Sequence, residues 1–325
     1  MRKFSLVIVG LGAFFVVLGP LVRFYAYPRL AVAPVGEEMT STLVAKDATV
    51  FDVESLRPIR SDLSISVHTA GDGTTPARCA GSVTYVNAST TRSADGKVRN
   101  QQVERMTFDE HTALPASKCG ADFLSTEDGV RTPVISTGLQ AKFPFDAQRH
   151  DYPFWDSTLK RSFPAVYKGT VSFRGIDLYE YAQDVPRESS SSMTLPSAMV
   201  GSAETGTVTA QVMYKNHRIF LVEPETGLIV QVTERRNQAV SYAGRDVLTL
   251  MDATASYDER TVERNVELAR RGAQLRLMRT SGPWAFSGLG VFLLGLGVVG
   301  ASRRSDVRRL SLFRAGSRRT PGGAA

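Results

Sequence analysis

The sequence predicts a mainly β protein: an antiparallel β-rich extracytoplasmic domain, in one body or two halves, flanked by N- and C-terminal transmembrane helices. Three observations carry this. Two uncharged apolar stretches lie near the ends of the 325-residue chain. Between them, apolar residues alternate over short runs, the period of a half-buried strand. Turn-forming residues separate those runs. A mean hydropathy of −0.11 excludes a polytopic transporter, since the apolar residues are otherwise dispersed.

The first stretch covers residues 4–22 and the second 283–301. Each is about 19 residues, roughly 28 Å as a helix, against a hydrocarbon core of about 30 Å. Arg2 and Lys3 precede the first, which also allows a cleaved signal peptide. A signal core is shorter, about 7–15 residues, and the best small-residue site, Ala31-Val32-Ala33, is followed by Pro34. An uncleaved anchor is therefore expected. The second stretch is Gly-rich and ends in a basic stop, which favours a span over a buried core helix.

Cations set the orientation. Arg2 and Lys3 lie before the first span, and Arg303, Arg304, Arg308, Arg309, Arg314, Arg318 and Arg319 follow the second. Arg270, Arg271, Arg276 and Arg279, just outside the second span, count against this but are fewer. The expectation is a two-pass protein of the bacterial cytoplasmic membrane with both termini cytoplasmic. Its parts are residues 1–3 inside, 4–22 spanning, 23–256 outside as β structure, 257–280 an amphipathic helix, 283–301 spanning, and 302–325 a basic tail. Nearly all of the net charge of +7 sits at the two termini. The outer part is close to neutral, so no nucleic-acid partner is expected. The tail, with Arg303, Arg304, Arg308 and Arg309 at its start, suits an anionic inner leaflet, where each cation is worth about 1 kcal/mol. A plain topology signal explains it equally well.

Candidate strands are residues 48–53, 63–67, 82–87, 102–108, 169–173, 176–183, 207–214, 218–223, 228–234 and 247–254. Asp95-Gly96, Lys215-Asn216 and Glu225-Thr226-Gly227 fall between such runs, as hairpin turns should. Residues 187–206, with Ser189 to Ser192, lack periodicity and are expected to form an exposed loop. A boundary between two β-rich halves is expected near 142–149. Val262, Val266, Ala269, Ala273 and Leu277 make one apolar stripe at helical spacing, and Trp284 is expected near the membrane interface. Gly297 and Ala301 form a small-residue pair suited to packing on the first span or on a partner.

Cys79 and Cys119 are the only cysteines, and both fall in the outer part. An isolated pair in an oxidising compartment reads as one disulfide, and closing a loop of about 40 residues is worth roughly 4 kcal/mol in the entropy description. Free buried thiols are the alternative. No metal is expected: His68, His111, His150 and His217 show no ligand spacing. No nucleophile elbow, phosphate loop or dinucleotide fingerprint is present, so no cofactor and no enzyme chemistry are expected. His150-Asp151 reads as a solvated loop pair.

Tyr152-Pro153-Phe154-Trp155-Asp156, with Phe143 and Phe145 upstream, is the densest aromatic stretch. Tyr152, Phe154 and Trp155 are candidates for the wall of an apolar ligand cleft; the alternative is a core plug.

This Tyr-Pro-Phe-Trp-Asp run, Tyr167-Lys168-Gly169, Gly175-Ile176-Asp177-Leu178-Tyr179 and Val222-Glu223-Pro224-Glu225-Thr226-Gly227 occur in a set order. In this the chain resembles the PorA-type family of actinobacterial envelope proteins, largely of unknown function, over nearly its whole length. The resemblance implies two spans around an envelope domain, and the family name implies a porin. A lipid-facing barrel needs alternating apolar faces over about 9–11 residues per strand, whereas several candidate strands are shorter and carry Arg and Glu. The second half is also similar to curved-sheet lipoprotein carriers, a likeness of fold that does not establish function. The leading expectation is a non-catalytic role, binding or handing on an envelope lipid or glycolipid or scaffolding other envelope proteins. A channel is the second expectation and an extracytoplasmic enzyme the third.

Overall fold

The computed structural model describes residues 2–36, 38–73, 79–116, 119, 122–126, 129–202 and 205–315, with side chains from 4 to 299. The chain forms two compact units, residues 1–30 with 273–325, and residues 31–272.

In the first unit, helix α1 (Arg2–Leu21) continues through a π turn (Val22–Ala26) into the short α2 (Tyr27–Leu30). The π turn follows directly on Pro20, whose missing N–H breaks the helical ladder. Helix α4 (Ser281–Ala315) packs along α1. Glycines permit the approach: a Cβ at Gly12 would lie 2.9 Å from the Gly290 carbonyl oxygen, and one at Gly19 2.6 Å from that of Pro283. Gly297 faces Val9 in the same seam, so this small residue packs on the first helix. Both helices are long and apolar enough to cross a membrane. Helix α4 runs beyond the expected end at 301, so the basic segment begins as helix. The side chains of Arg303, Arg304, Arg308 and Arg309 lie outside the described side chains, and Arg318 and Arg319 outside the described residues.

The second unit is built on one antiparallel sheet of twelve strands, β1 (Glu38–Asp52), β2 (Arg57–Gly71), β3 (Ser82–Ser93), β4 (Val98–Asp109), β5 (Phe123–Ser125), β6 (Arg131–Pro133), β7 (Tyr152–Asp156), β8 (Arg161–Phe173), β9 (Ile176–Pro196), β10 (Thr207–Val222), β11 (Ile229–Tyr242) and β12 (Arg245–Tyr257). Consecutive strands pair as a meander, and β1 also pairs with β12, so the two edges of the sheet are β6 and β7. Helix α3 (Glu259–Arg279) follows.

The sheet curls. Leu43, Val50, Leu63, Val83, Met106 and Phe108 from its first strands share one core with Phe154, Tyr181, Phe220, Val222 and Val232 from its last. The two β-rich halves expected on either side of 142–149 are thus one sheet with one core. Residues 134–151, which join the two edges, contribute to that core through Leu139 and Phe143, both fully buried. The opposite face of β10 carries Leu221, which packs with Val171, Leu178 and Val230 against Val262, Val266 and Ala269 of α3. The predicted helical stripe is therefore buried through Ala269, whereas Leu277 is exposed. Asn265 donates to the carbonyls of Ile229 and Val230, tying α3 to a bulged stretch of β11.

Two expectations are corrected. Residues 187–196 are not loop but the second half of β9, paired with β10 from Met213↔Ser189 to Thr207↔Pro196. Of the serines there only Ser190 is half-buried and the other three are exposed, so backbone pairing with β10, helped by the Ser189 and Ser190 hydroxyls donating to Gln211 and to the Val212 carbonyl, supplies the order. Lys215-Asn216 is no turn: β10 runs straight through it, with Lys215 opposite Asn237. The turns at Asp95-Gly96 and Glu225-Thr226-Gly227 stand where expected, closing β3–β4 and β10–β11.

Candidate functional site

The interior of the curled sheet has two layers, and the β10 residues Tyr214, Asn216, Arg218, Phe220 and Val222, alternating on one face, show both. Phe220 and Val222 belong to an apolar layer. Its hub is Phe143, stacked on Tyr181 at 4.5 Å and edge-on to Tyr152 at 5.6 Å and Phe220 at 5.8 Å, with Phe154 at 5.7 Å. Such pairs add about 0.5–1.5 kcal/mol each beyond burial.

Phe143 is held there by the Val222–Gly227 motif. The Glu223 carboxylate accepts from the backbone N–H of Glu225 and Thr226 and from the Thr226 hydroxyl, shaping the turn. That turn then receives residues 143–147: Phe143 N–H donates to the Gly227 carbonyl, Asp146 to Glu225 and Ala147 to Pro224. Gly227 has φ +69°, and a Cβ on it would lie 2.0 Å from the Phe143 carbonyl oxygen. No other residue fits.

Beside the rings lies an ionic layer centred on Arg218. Its guanidinium donates to Gln183 Oε1 at 2.8 Å, Asp156 Oδ2 at 2.9 Å, Tyr214 Oη at 3.2 Å and Glu234 Oε2 at 3.3 Å. Tyr214 donates to Asp156 at 2.9 Å, and Asn216 donates to Glu234 at 3.1 Å. Gln183 completes the layer by donating to the Phe154 and Phe163 carbonyls. Burial opposes ionisation of Glu234, but Arg236 and Arg218 outweigh it and hold its carboxyl at about 2. Glu104, on the same face of β4 as Met106 and Phe108, behaves in the opposite way. Burial pushes it up to about 7, relieved only partly by a 3.4 Å hydrogen bond from Gln140 of the joining segment. On that segment Lys142 is brought down to about 7 by burial, with Glu223 opposing.

The predicted site residues divide accordingly. Tyr152 and Phe154 lie in the apolar layer, their rings engaged with Phe143. Trp155, the residue of β7 that follows Phe154, is also buried, and its indole N–H has no hydrogen-bond partner among the described residues. Cys79 is buried just before β3 and Cys119 is half-buried in a turn after β4. Paired chain brackets them: Glu110 N–H bonds to Gly81, Ala116 to Thr107, and Cys119 to Ala116. Both cysteines therefore sit at the open end of the β3–β4 hairpin. The ionic layer is hidden in the sequence because Lys215-Asn216 looks like a turn between two strands, so Tyr214 and Arg218 fall on separate elements. The spacing by two of Tyr214, Asn216, Arg218 and Phe220 was the available signal.

These features define a class: a chain with a helix of membrane-spanning length at each end and a curled antiparallel β body between them. The family described as Porin PorA matches residues 4–299, and the chain belongs to that family. It is also similar to "Porin PorA" of Corynebacterium amycolatum, 23% identical over 376 aligned positions covering 91% of this chain and 97% of that protein.

Proposed function

We propose that this chain is a membrane-anchored envelope protein whose β body lies outside the cytoplasm and acts by binding, without catalysis. It presents a rigid surface to envelope lipid, glycolipid or other envelope proteins. The observation that carries the reading is the filled interior. The Phe143 rosette and the Arg218 layer use inward side chains of the sheet on one another, which supports a scaffold rather than a conduit. Strand length no longer argues against a barrel, since β1, β2, β9 and β10 are long. The face chemistry still does: Lys46 and Arg60 on β1 and β2 are exposed and paired with Asp62 and Asp47, charges that a lipid-facing strand carries at a cost. The direction of the cations at both termini supports the orientation.

The name shared by the family and the corynebacterial relative favours a second reading, a channel. In this chain a conducting path would run between spans of several copies, because the β body is filled. Planar-bilayer recording on the purified full chain separates the two. Silence, together with a specific lipid retained through detergent purification, supports the scaffold. Reproducible unitary steps that vanish in a variant lacking the second span would replace it with a channel.

A further inference from the structure

Strand β9 outgrows its neighbour. Its ladder with β8 runs from Phe173↔Ile176 to Ala165↔Gln183, and beyond that point Pro164 on β8 and Pro186 on β9 have no N–H with which to continue it. Strand β9 nevertheless runs on to Pro196, paired with β10. After a bulge at Ser190 this pairing is regular from Val212↔Ser191 to Thr207↔Pro196. Strand β10 in turn meets β11 from Gln211↔Ser241 onward, so the far end of the arm is a two-stranded ribbon. Such a ribbon is marginal without a third strand. Among the described residues no strand pairs with the outer edge of Ser191–Leu195. Alternate residues there turn their N–H and C=O groups away from β10.

The terminal edges of the sheet are guarded. Strand β6 is three residues long, all exposed, and includes Arg131 and Pro133. Strand β7 is covered by the joining segment: Leu139 N–H donates to the Pro153 carbonyl, and Trp155 N–H to that of Leu139. Short length, charge, proline and a covering segment are the usual means of keeping an edge from pairing. Ser191-Ser192-Met193-Thr194-Leu195 contains neither charge nor proline. The nearest charges are already engaged inside the chain, Arg187 with Asp246 and Glu188 with Arg161, so they select no oppositely charged partner.

This stretch fits its own copy. Antiparallel pairing about a two-fold axis at Met193 sets Met193 against Met193, Ser191 against Leu195 and Ser192 against Thr194. The faces match. Met193 and Leu195 are half-buried and stand opposite Ala210 and Val208, which are buried, so the pair continues an apolar stripe. Ser192 and Thr194 are exposed and meet as hydroxyl pairs, a favourable cross-strand combination. No like charges face one another.

We propose that the Ser191–Leu195 edge of β9 pairs with the same edge of a second copy of this chain, joining two sheets through a closed two-fold interface. This goes beyond the binding role given above and does not depend on the membrane topology.

The axis makes position 193 its own neighbour. In Met193→Cys the two Cα atoms lie about 4.5–5.5 Å apart, within disulfide reach. The full chain is purified in mild detergent, oxidised gently and run on non-reducing gels, beside light scattering of the unoxidised protein. Met193→Cys should give at least about fivefold more disulfide dimer than the parent chain or than Thr132→Cys on the guarded β6 edge. Met193→Glu and Met193→Lys each set like charges directly opposite one another, and each should weaken association about two- to fivefold. An equimolar mixture of those two variants should restore the dimer, because the mixed pair brings opposite charges together. A monomeric parent chain, a Met193→Cys crosslink no stronger than that of Thr132→Cys, or a mixture that associates no better than either charged variant alone would overturn the proposal. The binding role would stand in each of those cases.

Discussion

The ring of Phe143 lies 4.5 Å from that of Tyr181, nearly parallel to it. Tyr181 belongs to β9, whereas Phe143 belongs to the segment that joins the two sheet edges, so this stack fastens that irregular stretch inside the curl. The Tyr181 hydroxyl donates to the Gln148 carbonyl of the same segment at 2.7 Å, and burial among other tyrosines holds it un-ionised far above the usual phenol range. Phe143→Ala should therefore cost about 3–5 kcal/mol, and Phe143→Leu less, measured by denaturant unfolding of the detergent-purified chain followed in near-ultraviolet circular dichroism. A loss under about 1 kcal/mol for the alanine variant would show that the rosette is not the hub.

Gly227 and Gly244 provide a matched pair. Both have positive φ, but a Cβ at Gly244 meets nothing within 4 Å. Gly244→Ala should cost about 1 kcal/mol. Gly227→Ala must push residues 143–144 off the turn and should abolish stable folding, read as loss of the cooperative melt.

Arg218 balances two buried carboxylates. Arg218→Met removes the cation paired with buried Asp156 and leaves Glu234 to Arg236 and Asn216, and should cost about 3–5 kcal/mol. Arg218→Lys should recover only part, because one ammonium cannot reach the separate acceptors that the guanidinium fork spans. Full recovery by lysine in thermal melts would refute that geometry.

Two groups titrating near neutrality give the stability an unusual pH profile. Glu104 has a folded pKa raised to about 7, so the native state holds its proton longer than the unfolded chain. Its contribution is present below about pH 4.5 and is lost as pH rises through 7, on the order of 2–3 kcal/mol. Lys142 is brought down to about 7, so the native state releases its proton first, and stability returns as pH rises from about 7 toward 10. Melting temperatures should pass through a minimum near pH 7. Glu104→Gln should remove the descending limb and Lys142→Met the ascending one; a flat profile in the parent chain would count against both.

Cys79 and Cys119 should be bridged in protein isolated from its membrane. Peptide mapping without reductant should recover the crosslinked pair, and complete alkylation of both thiols before reduction would exclude it. Loss of the bridge should lower stability by roughly 4 kcal/mol.

Alternation made part of the sheet's middle legible, since Val208, Ala210 and Val212 repeat every second residue on the buried face, whereas β1 begins ten residues before the candidate strand at 48–53. It failed where burial is not apolar. Lys215-Asn216 reads as a turn because a single strand does not display the partner of Asn216, Glu234, which satisfies it inside the sheet. It failed again at Ser189–Ser192, where order comes from the β10 ladder and side chains contribute little. The β7 aromatics were visible as a cluster. Their engagement with Phe143 was not, because it depends on a turn some eighty residues further along the chain.

The pairing of Leu43 with Tyr257 joins the first strand to the last. On the proposed topology, the sheet cannot close until almost the whole outer segment has been exported and only α3 and the second span remain to follow. Such long-range closure is slow compared with local pairing. Newly exported β1 would wait with one open hydrogen-bonding edge until β12 follows. On that topology, completion of the sheet would await export of β12, residues 245–257.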